Sequence, residues 1–291
     1  MKIFEYRIIV PIDYARYEIA NRHMCLDYVK TESHGGEGIE VVKDETYDIK
    51  GKNLKGSPKK GQHTYKILHI KSKFPSFVRW AIPDKYLHFH EDSTVEYPHF
   101  YTKYTVPGFG EKFYCDINSQ HVEYICDGNG VMKNFPENAL NLSSKELKER
   151  KIIWLDIVHG NPKKSDNSLK HFKCNEYNLD FSTSEFKNKD DEKESKGKHH
   201  YIEDHPPLWT TRYKGPMVCA IKVVKFELDN SLKSVVEKTV TESAMPKVFI
   251  ESHRRMIHCI DDWFNLSVSD MEKLEEKQRE DQIKNVKFVQ N

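Results

Sequence analysis

A threonine and a lysine alternate with two aliphatic residues on one predicted strand face. In the run 64–70, the two-residue period of a β-strand puts Thr64 and Lys66 on the same side as Leu68 and Ile70. Burying an ammonium group among apolar side chains is unfavourable unless an anion or several hydrogen-bond acceptors compensate it. A phosphate that carries hydrocarbon chains, as in a phospholipid, would complement both halves of this face. The alternative interpretation is that Thr64 and Lys66 lie at the solvated end of an ordinary strand.

The residue spacings of common catalytic centres do not occur in this sequence. There is no nucleophile elbow, no phosphate-binding Gly–Lys loop and no HExxH motif. The strongest candidate for a metal site is His88 with His90, which would share a strand face, but two imidazoles do not complete a zinc site. We therefore expect a protein that is not an enzyme and has no metal or cofactor.

Composition limits the partners and the compartment. The chain has 291 residues, and its 46 Lys and Arg against 45 Asp and Glu argue against nucleic acid as the main partner. Its six cysteines form no CxxC pair, which is typical of reduced cytosolic thiols. Neither a signal peptide nor an apolar run of membrane-spanning length occurs. These features predict a soluble cytoplasmic protein, and we expect it to be a monomer.

Many short runs have the alternation of strands, and most follow one another without an intervening helix. The predicted strands are 6–12, 38–43, 64–70, 86–90, 99–106, 112–117, 120–126, 152–158 and 218–228. This order favours an α+β fold with an antiparallel sheet.

Helices are predicted in fewer places. They are 14–31, a short helix after the Ser143–Glu146 capping box, an amphipathic helix over 246–265, and 269–287 after Ser267 and Asp270. The run 184–200 is charged and has almost nothing to bury, so it is predicted to be a mobile loop. We expect a single domain over 1–291, with 280–291 as a C-terminal tail.

Several segments occur in an order that is more specific than any one motif. They are 5–11 (EYRIIVP), 35–41 (GGEGIEV), 61–66 (GQHTYK), 72–79 (SKFPSFVR), 217–222 (MVCAIK), and 253–267 followed by Glu275. With these segments the chain resembles the phosphatidylinositol transfer protein family from residue 1 to about residue 280. The stretch 97–113 is similar to the class II, retinal-degeneration-B-type members.

The resemblance implies a fold, a ligand and an activity. The fold is START-like: a curved antiparallel sheet wraps a lipid cavity, which is closed by helices, including long C-terminal helices. The activity is exchange of one phospholipid, phosphatidylinositol and also phosphatidylcholine, between transiently contacted membrane surfaces. Three alternatives remain open: transfer of phosphatidic acid, a lipid sensor that keeps its lipid, and a START-like enzyme.

The resemblance also assigns residues to the lipid head group. Thr64, Lys66 and Glu275 match positions that contact inositol, Lys222 matches one near the phosphate, and Thr102, Ser119 and Asn21 match positions that contact phosphate or choline. The asparagine that completes the family's inositol site is Val95 here, beside Glu96. A lost hydrogen bond to a buried polar group costs about 1–3 kcal/mol, so inositol selectivity is expected to be relaxed unless another residue substitutes.

Membrane docking is expected to use aromatic and aliphatic side chains. The family's exposed tryptophan pair is replaced here near Leu228-Asp229, which would insert poorly. The lipid-exchange loop matches 74–83, and its candidates for insertion are Phe74, Phe77, Trp80 and Ile82. Trp209, after Pro206-Pro207, is a further candidate for an exposed aromatic residue.

Overall fold

The computed structural model describes most of the chain. The described residues are 1–32, 38–52, 58–69, 88–126, 132–133, 135–159, 168–188, 191, 201–203, 205–229 and 233–285. Strands β1 to β11 are Lys2–Val10, Gly38–Lys52, Pro58–His69, Phe89–Glu96, His99–Thr105, Phe113–Glu123, Lys151–Leu155, Lys173–Cys174, Leu179–Asp180, Tyr201–Ile202 and Val218–Leu228. Helices α1 to α7 are Tyr14–Glu32, Ser144–Glu149, Trp209–Arg212, Lys233–Thr239, Met245–His258, Ile260–Trp263 and Val268–Asn285.

The larger sheet has the strand order β10-β7-β1-β11-β6-β5-β4-β3-β2. Its neighbours are antiparallel except that β7 pairs in parallel with β1, from Phe4 opposite Lys151 to Ile8 opposite Leu155. The predicted α+β class is confirmed, and the sheet is antiparallel as expected except at the β1–β7 pair. Parallel neighbours need a crossover connection, and the chain between β1 and β7 contains helices α1 and α2 as well as strands β2 to β6.

Two boundaries differ from the sequence-based expectation. The predicted strands 112–117 and 120–126 form a single strand, β6, which pairs along its length with β11. The predicted helix 246–265 is divided at Cys259, whose φ of −92° and ψ of 18° leave the helical region. Neither position carries a glycine or proline that would have marked the difference in sequence.

The two predicted helix starts are confirmed by their hydrogen bonds. At α2, the Ser143 hydroxyl accepts from the Glu146 amide, and the Glu146 carboxylate accepts from the Ser143 amide at 2.9 Å. At α7, Ser267 and Asp270 exchange the same two bonds, at 3.2 and 3.0 Å. Each cap satisfies amides that have no partner within the helix.

Helices α1 and α5 pack against one face of the sheet, which we call the inner face. The Tyr6 ring on β1 lies 5.3 Å from the Phe249 ring on α5, and His121 on β6 lies 4.1 Å from Tyr17 on α1. We call the opposite side of the sheet the outer face. No helix within the described ranges is long and apolar enough to cross a bilayer. Of the predicted mobile loop 184–200, only residues 184–188 and 191 are described, and among them Phe186 is buried. Of the predicted tail 280–291, residues 280–285 belong to α7 and the rest lies outside the described residues.

Candidate binding site on the inner face

The hydrogen-bond register brings predicted site residues together on the inner face. Thr64 on β3 lies opposite Ser93 on β4, and Ser93 lies opposite Thr102 on β5. The hydroxyls of Ser93 and Thr102 are 3.0 Å apart, and Thr64 and Ser93 are both buried. These three residues therefore form a row of hydroxyl groups across three strands of the inner face.

A second row crosses the same face two residues away. Val95 on β4 lies opposite Phe100 on β5, Phe100 opposite Ser119 on β6, and Ser119 opposite Lys222 on β11. Ser119 is buried at 3% exposure. Val95 has no polar atom in its side chain and leaves a gap in the polar lining.

Lys66 does not stand alone on this face. Its ammonium nitrogen lies 2.9 Å from Glu91 Oε1, and the Tyr104 hydroxyl donates to Glu91 Oε2 at 2.8 Å. Burial opposes the charged form of both partners, but the attraction between them prevails. The pKa of Lys66 is raised and that of Glu91 is lowered. Lys66 and Glu91 are therefore an ionised pair.

Glu275 reaches the same region from α7 and is also paired. Arg22 on α1 donates from Nε to Glu275 Oε1 at 2.8 Å and from Nη2 to Oε2 at 2.7 Å. This bidentate arrangement is the strongest geometry for an arginine and a carboxylate. Burial lowers the pKa of Arg22, but the Glu275 carboxylate outweighs that effect and raises it.

The Cys25 thiol on α1 identifies the space that these groups share. Burial raises the pKa of Cys25, and the charges that act on the thiol are Lys66, Glu91, Lys222 and Glu275. The residue is nevertheless accessible to water-sized molecules. Because the thiol is exposed and these charges come from the sheet and from α7, it lies beside the space between them. We call this space, bounded by α1, α7 and the inner face, the chamber.

Lys222 differs from the other cations of the chamber. No carboxylate and no hydrogen-bond acceptor of the described residues contacts its ammonium group, which lies 5.3 Å from the centre of the Phe249 ring. Burial lowers the pKa of Lys222 to about 8. An unpaired cation in such a place favours an anionic ligand.

Two further polar residues lie beside the chamber. Asn21, one of the predicted residues, is buried at 8% exposure on α1, four positions before Cys25. His121 follows Ser119 by two residues on the inner face, and neither of its ring nitrogens has a hydrogen-bond partner within the described structure. Burial, with Lys222 nearby, holds the pKa of His121 well below its usual range, so the ring is neutral.

Two predicted site residues do not belong to the chamber. Glu96 lies on the outer face, because adjacent strand residues point to opposite sides, and there it accepts a hydrogen bond from Tyr47 at 2.8 Å. Trp209 is fully buried, and its indole N–H donates to Asp156 at 3.2 Å. The prediction of an exposed tryptophan at 209 is therefore wrong. Phe74, Phe77, Trp80 and Ile82 lie outside the described residues.

Sequence reasoning missed five residues of this region. They are Arg22, Cys25, Glu91, Tyr104 and His121. The alternation that places Val95 on the inner face also places Glu91 there, and a register between β4 and β5 would have added Tyr104. Cys25 is one helical turn after Asn21. Only Arg22 carries no local signal, since its partner Glu275 is 253 residues away.

The possible zinc ligands also lie close together. The rings of His88 and His90 are 5.1 Å apart, and His69 is 6.1 Å from His88. Burial and the neighbouring imidazoles lower the pKa of His88. The ring planes are tilted by 32° and 31°, and His69 also lies 3.0 Å from a Glu40 carboxylate oxygen.

Comparison with known proteins gives consistent matches over nearly the whole chain. A family model described as phosphatidylinositol transfer protein matches residues 1–280. Phosphatidylinositol transfer protein 2 of Dictyostelium discoideum is 31% identical over 278 residues, 95% of this chain and 93% of the relative. The human phosphatidylinositol transfer protein beta isoform is 28% identical over 94% of this chain and 91% of its own length. Protein retinal degeneration B of Drosophila melanogaster is 30% identical over 94% of this chain, which spans 20% of that longer relative.

Proposed function

The chain belongs to the phosphatidylinositol transfer protein family, and on that premise we propose that it binds one phospholipid inside the chamber and exchanges it between membranes. Its ligands are phosphatidylinositol and phosphatidylcholine, and it contacts membrane surfaces transiently as a monomer. The role requires no covalent chemistry and no cofactor.

The unpaired Lys222 is the observation that carries this proposal. A buried ammonium group whose pKa falls to about 8 lacks a counterion, and a phosphodiester supplies one negative charge. The neutral residues around it, Ser119 and His121, offer hydrogen bonds without adding charge. The phosphate of a phospholipid therefore fits this end of the chamber.

The interior also lowers the barrier to lipid exchange. Each methylene that leaves a membrane for water loses about 0.8 kcal/mol, and an apolar cavity removes most of that penalty. The loop 74–83 and helix α7 are the proposed parts that open, and Phe74, Phe77, Trp80 and Ile82 are the side chains that enter the bilayer.

The experiment that tests the proposal identifies the lipid that the protein carries. Protein purified from cells is examined by native mass spectrometry, and its transfer of labelled lipid between vesicles is then measured. One phosphatidylinositol or phosphatidylcholine per chain, with accelerated transfer, supports the proposal. Phosphatidic acid alone changes the cargo, and bound lipid without transfer identifies a sensor. Protein that neither carries nor acquires lipid contradicts the proposal.

Thr64→Asp is expected to reduce phosphatidylinositol transfer more than phosphatidylcholine transfer. Thr64 is buried two positions from Lys66, so a carboxylate at 64 would compete with the inositol ring for the lysine. We expect a loss of about tenfold or more for phosphatidylinositol, in line with hydrogen bonds to charged groups. Thr94→Asp, on the outer face of the adjacent strand, is the matched control. Equal losses for both lipids would rule out a role for Thr64 in recognising inositol.

Cys25 provides a natural reporter of occupancy. If lipid fills the chamber, alkylation of this thiol by a maleimide should slow in proportion to the fraction of protein that carries lipid. The label is assigned by comparison with Cys25→Ser, because Cys126 and Cys259 are also partly exposed. A Cys25 rate that is the same in lipid-free and lipid-loaded protein would show that the thiol lies outside the lipid site.

A further inference from the structure

Two ion pairs of different origin meet in the chamber. Lys66 and Glu91 join neighbouring strands at 2.9 Å, whereas Arg22 and Glu275 join helices α1 and α7 at 2.7 Å. Glu91 and Glu275 both act electrostatically on the Cys25 thiol, so the two pairs border the same space. All four side chains are only partly covered, with exposures between 15 and 24%. We call them the sheet dyad (Lys66–Glu91) and the helix dyad (Arg22–Glu275).

We propose that the two dyads together form the head-group specificity site, in which Glu91 and Arg22 contact an uncharged polyhydroxyl ring alongside Lys66 and Glu275. The inference rests on the proposed function and deepens it. The resemblance implies ring contacts for Lys66 and Glu275 alone, and it assigns nothing to Glu91 or Arg22.

The hydrogen-bonding capacity of a dyad matches that of a polyol. Every ring hydroxyl can donate one hydrogen bond and accept others, so it is fully satisfied only where donors and acceptors stand side by side. Lys66 Nζ and Glu91 Oε1 are such a neighbouring donor and acceptor, and Arg22 and Glu275 repeat the arrangement. Each carboxylate oxygen retains a lone pair after its internal bond, because it can accept two.

The charges around the chamber indicate where the phosphate of the head group binds. Lys66 is balanced by Glu91, and Arg22 lies between Glu275 and Glu18, whose carboxylate is 3.5 Å from Nη1, so neither cation demands a further counterion. Lys222 is the cation near Cys25 that no carboxylate of the described residues contacts, and it matches the single negative charge of a phosphodiester. A quaternary ammonium head group has no hydroxyl to offer either dyad. The arrangement therefore selects a phosphodiester lipid with a neutral polyol over phosphatidylcholine.

This proposal also accounts for Val95. The valine removes one amide from the inner face, but Glu91 lies on the same strand and the same face, four residues earlier. The Tyr104 hydroxyl orients the Glu91 carboxylate from the next strand. The acceptor that position 95 lacks is thus present within the sheet dyad.

The test separates a dyad from a residue that acts alone. If Lys66 alone binds the ring, Glu91→Gln frees the lysine, and phosphatidylinositol binding should persist or tighten. If Glu275 alone binds the ring, Arg22→Gln frees the carboxylate, and phosphatidylinositol binding should again persist or tighten. Our proposal predicts the opposite: each variant should lose about tenfold or more in phosphatidylinositol affinity while phosphatidylcholine affinity stays within about twofold.

A second set of variants guards against misfolding. Lys66→Met/Glu91→Leu removes the sheet dyad without changing net charge, and such replacements of buried pairs are often neutral or stabilising. This variant should fold and bind phosphatidylcholine, but it should show little preference for phosphatidylinositol over phosphatidylcholine. Lys145→Gln/Glu149→Gln removes an exposed pair on α2 and is the matched control, expected to bind both lipids like the wild type.

Affinities are measured with vesicles that contain either lipid, after thermal denaturation has confirmed folding. Selective loss of phosphatidylinositol in the dyad variants supports the proposal. Unchanged selectivity in the folded double variant, or tighter phosphatidylinositol binding by Glu91→Gln, overturns it while leaving lipid transfer intact. Wild-type protein that binds neither lipid overturns the proposed function itself, and the dyad proposal with it.

Discussion

Lys222→Met is expected to make the lipid-free protein more stable and, at the same time, to weaken lipid binding severely. Burial lowers the pKa of Lys222 from 10.5 to about 8, which corresponds to a penalty of about 3 kcal/mol for holding the charge in the folded state. Methionine removes that penalty and keeps a flexible apolar contact with the Phe249 ring. Urea unfolding of lipid-free protein at pH 7 measures the gain.

The pH dependence identifies Lys222 as the source of that gain. Because its pKa is lower in the folded than in the unfolded protein, the penalty is complete below about pH 8. It shrinks as the pH rises and disappears above the unfolded value near 10.5. The difference in free energy of unfolding between the variant and the wild type should therefore fall from about 3 kcal/mol at pH 7 towards zero. A difference that is independent of pH would assign the gain to packing instead.

The same substitution should weaken phosphatidylinositol and phosphatidylcholine alike, because both carry the phosphate that Lys222 is proposed to hold. Losing one partner of a buried charge pair costs about 2–5 kcal/mol in affinity, or roughly thirtyfold and more. Lys225→Met is the matched control, since Lys225 lies on the outer face of the same strand and pairs with Glu146. Unaltered binding of both lipids by Lys222→Met would refute the phosphate role.

The period of two along the strands accounts for most of what could be predicted about the site. Thr64, Thr102, Ser119 and Lys222 lie on one face, as they must if the antiparallel register follows the alternation. The same rule places Glu96 outside the site, since the neighbour of an inward-facing residue points outward. Local geometry was sufficient for these residues because each one is positioned by its own strand.

Contacts between distant segments could not be predicted in this way. Trp209 follows two prolines and looks exposed in sequence, yet it is buried against Phe186 and donates to Asp156, 53 residues earlier. Arg22 meets Glu275 only because α1 and α7 pack together. No periodicity within either helix indicates that contact, so residue patterns alone treat both as solvated charges, and only the family resemblance assigns Glu275 to the head group.

Glu5→Gln is expected to lower the free energy of unfolding by about 3–5 kcal/mol, the penalty for leaving buried charges without their partner. Glu5 is 3% exposed on the outer face, where its Oε1 accepts from Arg7 Nε at 2.6 Å and its Oε2 accepts from Arg150 Nη1 at 2.7 Å. The amide of glutamine cannot neutralise two guanidinium groups. Glu149→Gln, which breaks an exposed pair on α2, should change stability by less than about 1 kcal/mol.

The sheet topology predicts which strand should be destabilised first in Glu5→Gln. Arg7 lies opposite Trp154 in the parallel β1–β7 pair, with its guanidinium 5.0 Å from that ring, and Arg150 directly precedes β7. Glu5 thus holds β7 onto β1 through both arginines. Amide hydrogen exchange in Glu5→Gln should therefore rise first in Lys151–Leu155, before it rises in Val218–Leu228, which has antiparallel neighbours on both sides. A uniform increase in exchange across both strands would show instead that Glu5, Arg7 and Arg150 support the whole sheet and have no particular role between β1 and β7.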